Sequence, residues 1–272
     1  MSQEMSVQKQ KTELFNNFNS INKENISVIR QYATIIKCNT TSIDMFIDLK
    51  HSTDVKWVGQ NDPREPLDNI DIKKSTLNLH EMYTSTIVSK TFLNNLNDSL
   101  EKLIENKVFN SMNYLELKGF LYGTGENEPQ GLLSKEGKQT IKKENIIKTI
   151  LNMYNSIDPY YHNGLIWIMN KEFISDLLTI NDQLFTKMLC MSSNNGRLSL
   201  LGFPVYTLDM LNKQHQCVLI NVSASYCIGD YNNNPDTLVD YYSHKPNVEF
   251  YFVKYVGGMV TNTKSYVVCE KE

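Results

Sequence analysis

Apolar residues recur at three- and four-residue steps between residues 89 and 119, the most regular pattern in the chain. This spacing places one apolar stripe along a helix and leaves Asn, Asp, Glu and Lys on the other faces. It predicts an amphipathic helix of about seven turns, with Ser89 as its N-cap and Gly123 as the residue that ends it. The apolar positions are Phe92, Leu93, Leu96, Leu100, Leu103, Ile104, Val108, Phe109, Met112 and Leu115.

Two segments ahead of this helix show stretches with the period of two that is typical of strands. Residues 42–60 and 70–89 flank a turn-rich tip, 61–69, that contains two prolines, so we expect a long hairpin. A two-stranded hairpin alone is barely stable in water. The hairpin therefore either packs on its own domain or lies across a neighbouring molecule.

The remaining segments mix the two periods. Residues 26–38 are apolar and fit either a helix or a strand, and Asn170 is the expected N-cap of a helix that follows it. Helices are also expected over 145–157 and, as a short amphipathic arm, over 1–25, and strands over 164–170, 202–211, 217–233 and 236–272, the last a pair broken by Gly257 and Gly258. Helices and strands interleave without a regular βαβ rhythm, which predicts an α+β fold.

Length and charge limit the function. The 272 residues allow one large or two modest domains. The formal net charge is −3, and only three of the 27 basic residues are arginine, the side chain best suited to bidentate phosphate contacts. Because nucleic-acid binders gain affinity by placing cations on phosphates, tight direct binding of DNA or RNA is disfavoured.

The spacing of cysteine and histidine argues against a metal, cofactor or disulfide site. The five cysteines contain no C-x-x-C pair and the five histidines no H-E-x-x-H motif, so a reducing compartment is expected. His215 and Cys217, the only close pair, fit ordinary strand residues. No apolar run reaches the length of a membrane span and no signal-peptide core is visible, which predicts a soluble intracellular protein.

The segment 120–133, FLYGTGENEPQGLL, is rich in glycine and could be either a phosphate-binding loop or a structural turn. A Walker loop requires Lys and Ser or Thr after its last glycine, but Leu follows here, and a dinucleotide loop follows a strand rather than a helix. The glutamates inside the segment would repel phosphate. Gly123 and Gly125 are expected to allow positive φ, Pro129 to fix φ, and Gly131 to permit a second reversal, which together predict a rigid corner.

This segment also resembles the F-l-x-G-x-G-x-x-x-P-x-G-i-l signature of tailed-phage major capsid proteins with the Hong Kong 97-like fold. Other segments resemble the same family in the same order, among them WVGQNDPRE (57–65), LLGFPVYTLDML (200–211) and YSHKPNVEFYFVKYVGGMV (242–260). The ordered similarity covers roughly residues 55–270. Several motifs in the right order are far more specific than any one of them.

The resemblance implies a domain plan. An N-terminal arm (1–44) would precede the extended E-loop hairpin (45–80), a P-domain (81–145) with a spine helix at about 89–119, an A-domain (146–236), and C-terminal P-domain strands (237–272). Gly123, Gly125, Pro129, Gly131, Gly257 and Gly258 would form its structural signature.

The resemblance also implies how copies of the chain meet. Trp57 and Arg64 would make contacts between subunits, with Trp57 and the E-loop lying on the spine helix of an adjacent subunit. Gln60 and Tyr255 stand where the family often has Glu and Arg, so those ion pairs are not carried over. Cross-linking through Lys50 or Lys56 is not predicted.

The function implied by the resemblance is that of a major capsid protein, which is not an enzyme. It would self-assemble into hexamers and pentamers of an icosahedral shell that encloses double-stranded DNA without sequence-specific binding. Its partners would be other copies of itself, the portal and other head proteins, and a separate scaffold or protease unless scaffolding is dispensed with. Assembly would occur in the bacterial host cytoplasm and yield a virion, a prophage product or a gene transfer agent.

Three alternatives remain at this point. An encapsulin-like compartment has the same fold and holds protein cargo in place of DNA. A hydrolase would need a polar constellation of His, Asp and Cys that the sequence does not assemble. A minor head or tail structural protein is disfavoured by the order of the spine pattern and the glycine signature.

Overall fold

The computed structural model describes residues 27–48, 55–60, 63, 72–89, 91, 98–180, 189–191, 198–212, 214–231 and 236–271. The arm predicted over residues 1–25, Arg64 and Lys50 lie outside the described residues. None of the helices in the described ranges has the length and apolar character needed to cross a membrane.

Helices and strands interleave along the chain. The helices are α1 (Val28–Tyr32), α2 (Asp98–Tyr122), α3 (Ile146–Ser156), α4 (Lys171–Leu178) and α5 (Val222–Ser225), with a short 3₁₀ turn at Pro159–Tyr161. The strands are β1 (Thr34–Lys37), β2 (Ser42–Asp48), β3 (Ile72–Asn78), β4 (His80–Ser89), β5 (Gln139–Lys142), β6 (Leu165–Met169), β7 (Leu189–Met191), β8 (Leu198–Leu200), β9 (Phe203–Thr207), β10 (His215–Asn221), β11 (Tyr226–Asp230), β12 (Asp236–Asp240), β13 (Asn247–Val260) and β14 (Tyr266–Glu270).

A five-stranded sheet is organised around the long strand β13. β13 pairs along one edge with β4 and along the other with β12 and β11, and β11 pairs in turn with β1. The long helix α2 lies against one face of this sheet, and Met112 and Phe120 of the helix share a core cluster with Phe250 and Phe252 of β13. The amphipathic pattern of α2 therefore has its expected cause, the burial of one helix face.

The second sheet has seven strands in the order β5-β14-β10-β6-β9-β8-β7. Helices α3 and α4 pack against it through a second core cluster that contains Met153, Trp167, Phe173 and Leu219. The two sheets are connected where β10 passes into β11 through the short helix α5, because β10 belongs to the seven-stranded sheet and β11 to the five-stranded one. The predicted domain boundaries remain a prediction, and the pairing of β14 with β10 crosses one of them.

Strands β2 and β3 form a hairpin that is hydrogen-bonded separately from the two larger sheets. Ser42 pairs with Asn78 at one end of the hairpin and Asp48 pairs with Ile72 at the other. Among the described residues, no strand of another sheet hydrogen-bonds to either strand of the hairpin. The segment 70–89 was expected to be one extended unit, but it divides at Leu79 between this hairpin and strand β4 of the five-stranded sheet.

Several sequence-based expectations were confirmed. Helix α3 occupies almost the expected range, and Asn170 caps α4 by accepting a hydrogen bond from the amide of Phe173 at 2.8 Å. Residues 26–38, which fitted either a helix or a strand, contain both, α1 and then β1. The long helix ends at Tyr122, immediately before Gly123 as expected and three residues beyond the approximate bound of 119 predicted for the spine helix.

Other expectations were wrong. Ser89, expected to cap the long helix, is the last residue of β4, where it pairs with Asn247. Gly257 and Gly258 do not interrupt a strand pair, since β13 runs through both of them without a break. The segment 217–233 is two strands in two sheets, because Asn221 caps a helical turn between them. The strand expected over 202–211 covers only Phe203–Thr207.

Candidate assembly surfaces

The hairpin carries the most exposed apolar side chains of the described chain. Val55 and Trp57 are 88% and 105% exposed, and Phe46 on β2 is 72% exposed. Tryptophan and phenylalanine bring large apolar areas, so leaving them in water loses a stabilisation that burial would supply. Large apolar side chains that are exposed together in one short segment, as Val55 and Trp57 are, indicate a binding surface.

The two tryptophans of the chain lie in opposite environments. Trp167 on β6 is fully buried and donates a hydrogen bond from Nε1 to the carbonyl oxygen of Leu200 at 3.0 Å. Trp57, predicted as a contact between subunits, is fully exposed, and Gln60 beside it is also exposed. Within the described part of the chain, the Trp57 indole therefore contributes no buried area to the fold.

The base of the hairpin is fixed to the five-stranded sheet. Leu77 is buried against Cys227 and Met259, and the amide of Leu79 donates a hydrogen bond to the carbonyl oxygen of Thr41 at 2.8 Å. Gly229 on β11 provides the space for these leucines. A Cβ at Gly229 would lie 2.8 Å from the Cδ2 atoms of both Leu77 and Leu79.

Gly257 has the same role at the next position of the joint. A Cβ on Gly257 would lie 2.2 Å from the carbonyl oxygen of Asn78, a distance that no relaxed structure tolerates. The backbone of the hairpin therefore approaches β13 closely only because Gly257 has no side chain. Gly258 likewise gives room to the ring of Tyr226, whose hydroxyl oxygen would lie 2.3 Å from an added Cβ.

The glycine segment forms the expected corner, and close approach is the main reason for two of its glycines. An added Cβ would lie 2.0 Å from the Pro129 carbonyl oxygen at Gly123 and 2.6 Å from the Gly123 amide nitrogen at Gly131. The positive φ expected at Gly123 is not present, whereas Gly125 has φ +86° and Asn127 has φ +58°. The chain thus reverses at 125–127 while Gly123 and Gly131 let its two arms touch.

Hydrogen bonds attach this corner to both sheets. The amide of Gln130 donates to the carbonyl oxygen of Gly258 at 2.9 Å, and the Tyr226 hydroxyl donates to the Gln130 carbonyl oxygen at 2.7 Å. The Tyr266 hydroxyl on β14 donates to the carbonyl oxygen of Leu132 at 2.9 Å. The corner therefore fixes the end of α2 to β11, β13 and β14. The backbone groups of Gln130 and Leu132 are hydrogen-bonded within the chain, so they are not offered to a ligand.

A buried ionic cluster joins α1 to the long helix and to the centre of the five-stranded sheet. The Arg30 guanidinium contacts both carboxylate oxygens of Asp230, at 2.5 and 2.9 Å, and also the carboxylate of Glu116. Lys254 Nζ lies 3.3 Å from the other oxygen of Glu116. Since two cations meet two anions in the interior, removal of any one member leaves a buried charge without compensation.

Lys254 is a weaker base inside this cluster than in the unfolded chain. Burial and the nearby Arg30 guanidinium lower the pKa of Lys254 from 10.5 to about 8, and Asp230 only partly opposes this. Because the folded state holds this proton less tightly than the unfolded state does, the Lys254 contribution to stability rises with pH between about 8 and 10.5. Apart from the scarcity of arginine, no local pattern indicated this cluster.

The described residues offer no catalytic constellation around His215 and Cys217. Burial, and the Cys269 thiol paired opposite, raise the pKa of Cys217 well above its usual value, which disfavours the thiolate that a nucleophilic cysteine needs. His215 Nε2 lies 3.3 Å from a carboxylate oxygen of Glu270, and burial lowers the histidine pKa. Within the described ranges, no three His, Cys, Asp or Glu side chains are placed to hold a metal ion.

Comparison with known proteins explains this arrangement. The model of the phage capsid family matches residues 22–270, which is most of the chain. The chain belongs to the phage capsid family. A search of curated protein sequences found no match. Membership of this family identifies the chain as a capsid protein.

Solved structures show the same fold at low sequence identity. The capsid of a native gene transfer agent (GTA) particle is 18% identical, with a TM-score of 0.73 over 92% of this chain and 94% of that one. Microbacterium phage Oxtober96 gives 12% identity and a TM-score of 0.67 over 93% and 94%. A virus-like particle from Pyrococcus furiosus gives 14% identity and a TM-score of 0.59 over 95% and 96%. The expected Hong Kong 97-like α+β fold is confirmed.

Proposed function

We propose that copies of this chain assemble as hexamers and pentamers and that the resulting shell encloses double-stranded DNA. The observation that carries the proposal is the fully exposed Trp57 on a hairpin whose base is fixed to the subunit. The described residues of one chain leave that indole exposed, and a neighbouring copy can cover it. Repetition of one such contact around a closed symmetric shell makes assembly cooperative, even where each contact is weak.

The hairpin acts as the E-loop of the family, and Trp57 and Arg64 are its contacts with the adjacent subunit. Arg64 follows the exposed segment 55–60 closely in the sequence, and both Trp57 and Arg64 lie between β2 and β3 along the chain. The described chain has no catalytic set or metal cluster that would favour an enzyme. The subunit acts as a structural protein, with the portal and other head proteins, and a separate scaffold or protease, as its partners.

A net charge of −3 suits a container for DNA. DNA driven into a shell must slide along its inner wall, and a subunit with a small negative net charge has little excess of cations with which to bind phosphate. The shell therefore holds DNA without sequence-specific binding, in a particle assembled in the host cytoplasm. The same charge would also suit a compartment for protein cargo, which the contents of the particle would distinguish.

Negative-stain microscopy of the purified, concentrated protein tests assembly directly. We expect polyhedral shells, or rings of five and six subunits at lower concentration. A chain that stays monomeric at every concentration reached would contradict the proposal. Particles purified from the natural host should contain double-stranded DNA, and particles that contain one folded protein and no nucleic acid would identify a cargo compartment.

A further inference from the structure

The face of the five-stranded sheet opposite α2 carries apolar side chains that are exposed in the single chain. Tyr83, Ile87 and Leu238 are 65%, 49% and 62% exposed. Leu238 pairs with Tyr251 across β12 and β13, and the Tyr251 ring stacks on that of Tyr83 with their centroids 5.5 Å apart. We call these four residues, together with Val253, the outer tyrosine face.

Carboxylates surround the outer tyrosine face. Glu81 accepts hydrogen bonds from the hydroxyls of Tyr251 and Tyr255, and Glu249 stands directly opposite Ile87 in the register of β4 and β13. Asp236 and Asp240 lie on the same side of β12 as Leu238, two residues to either side of it. Glu249 also lies 3.2 Å from Nδ1 of His244. The surface is therefore apolar at its centre, and Glu81, Asp236 and Asp240 make its edges negative.

The exposed part of the hairpin has the complementary character. Residues 55–60 read VKWVGQ, and every one of them is exposed. Trp57 and its neighbours Val55 and Val58 are apolar, and Lys56 contributes a cation beside them. A tryptophan next to a lysine matches a stacked tyrosine surface bordered by carboxylates, since aromatic rings pack together and opposite charges attract.

We infer that Trp57 and Lys56 of one copy bind the outer tyrosine face of an adjacent copy. This rests on the proposed function, and it names the receiving surface. The long helix, which the resemblance suggested as the receiver, is the poorer match among the described residues. Its exposed face presents Tyr114 and Leu115 between Lys107 and Lys118, and these two lysines would repel Lys56.

Zero-length cross-linking of the natural protein can identify the receiving surface. Chains labelled with ¹⁵N are mixed with unlabelled chains, assembled, and treated with a carbodiimide that couples lysine to carboxylate. We expect Lys56 to be joined, between one labelled and one unlabelled copy, to Glu81, Glu249 or Asp240. Coupling of Lys56 only to carboxylates of residues 98–122, or only within one copy, would overturn the inference.

A matched pair of variants gives an independent test. Leu238 and Tyr114 are 62% and 61% exposed, so a lysine at either position leaves the fold of the subunit intact. Leu238→Lys places a cation where Lys56 arrives, and we expect the concentration needed for shell assembly to rise at least about tenfold, a change of 1.4 kcal/mol. Tyr114→Lys should leave that concentration unchanged.

The outcomes separate the inference from the proposed function. Normal assembly of Leu238→Lys together with failure of Tyr114→Lys would place the hairpin on the helix and overturn the inference alone. Normal assembly of both variants would show that neither surface is covered in the shell, which also overturns it. A wild-type chain that never assembles would instead contradict the proposed function.

Discussion

Replacement of Trp57 by alanine separates folding from assembly. The indole is fully exposed, so its removal takes away no described packing contact within the subunit. We expect the free energy of unfolding of Trp57→Ala to stay within about 0.5 kcal/mol of the wild-type value, as for other surface substitutions. Particle formation should nevertheless be lost, because the same indole supplies the apolar area that a neighbouring copy covers.

The magnitude follows from the area available. A tryptophan buries about 150–250 Å² when it is fully enclosed, and at about 25 cal/mol per Å² this is worth about 4–6 kcal/mol. The entropy lost in ordering the hairpin and imperfect enclosure of the ring reduce the measurable binding energy. We therefore take about 2 kcal/mol, the lower limit for an interface hot spot, as the minimum loss of binding free energy in Trp57→Ala. That bound corresponds to a rise of about 30-fold in the concentration required for assembly.

The assay combines light scattering over a concentration series with microscopy of the products. Trp167 supplies the internal contrast, since it is fully buried and hydrogen-bonded. Trp167→Ala should lower the free energy of unfolding by about 3–5 kcal/mol, the usual cost of truncating a buried aromatic residue. Trp57→Phe should restore most assembly, because a phenyl ring keeps much of the buried area. Normal shells from Trp57→Ala at wild-type concentrations would refute the reasoning.

Three further predictions concern the subunit itself. Gly257→Ala should lower the midpoint of thermal unfolding by a shift equivalent to about 1–3 kcal/mol, since its Cβ would collide with backbone 2.2 Å away, and an unchanged midpoint would contradict the close approach. Arg30→Met should cost about 3–5 kcal/mol in urea unfolding, because Asp230 loses its guanidinium partner and Glu116 keeps only Lys254. Lys171→Met at an exposed ion pair should cost less than about 1 kcal/mol. Burial raises the pKa of Cys227 and Cys269 from 9.0 to about 11. The stability that these two thiols contribute is therefore complete below pH 9 and is lost as pH rises towards about 11. Urea unfolding should show a lower free energy of unfolding at about pH 11 than at about pH 9, despite the opposite effect of Lys254.

The elements with strong periodicity were predictable because one physical cause determined them. The long helix has an apolar stripe that is buried against a single sheet, so its pattern survives in the sequence. The exposed hairpin could be predicted because its strands alternate and its tip contains two prolines. Asn170 was predictable as a cap because the interaction is local, between residues three apart.

The features that could not be predicted depend on partners far apart in the sequence. Arg30 meets Asp230 across 200 positions, and neither residue carries a local signal of that contact. Gly257 looks like a break in a strand, yet it is the place where Asn78 approaches the backbone of β13. The outer tyrosine face could not be predicted because both faces of β4 carry apolar side chains. Met82 and Val88 are buried, whereas Tyr83 and Ile87 are exposed, and the sequence alone does not say which face is covered.

The joint at the base of the hairpin bears on how strong the contact between copies can be. A hairpin that moved freely would lose much of the energy from burying Trp57 to the entropy of ordering it. Leu77 and Leu79 are held against Gly229, and Gly257 lets the backbone of the hairpin approach the sheet, so the position of its base is set before assembly. A preset base directs the indole to one place on the next copy, and the same direction repeated by every copy favours a closed shell of defined curvature over irregular aggregates. Leu79→Ala weakens this joint. Microscopy of its assembly products should therefore show a wider distribution of particle sizes than for the wild type, although the subunit remains folded.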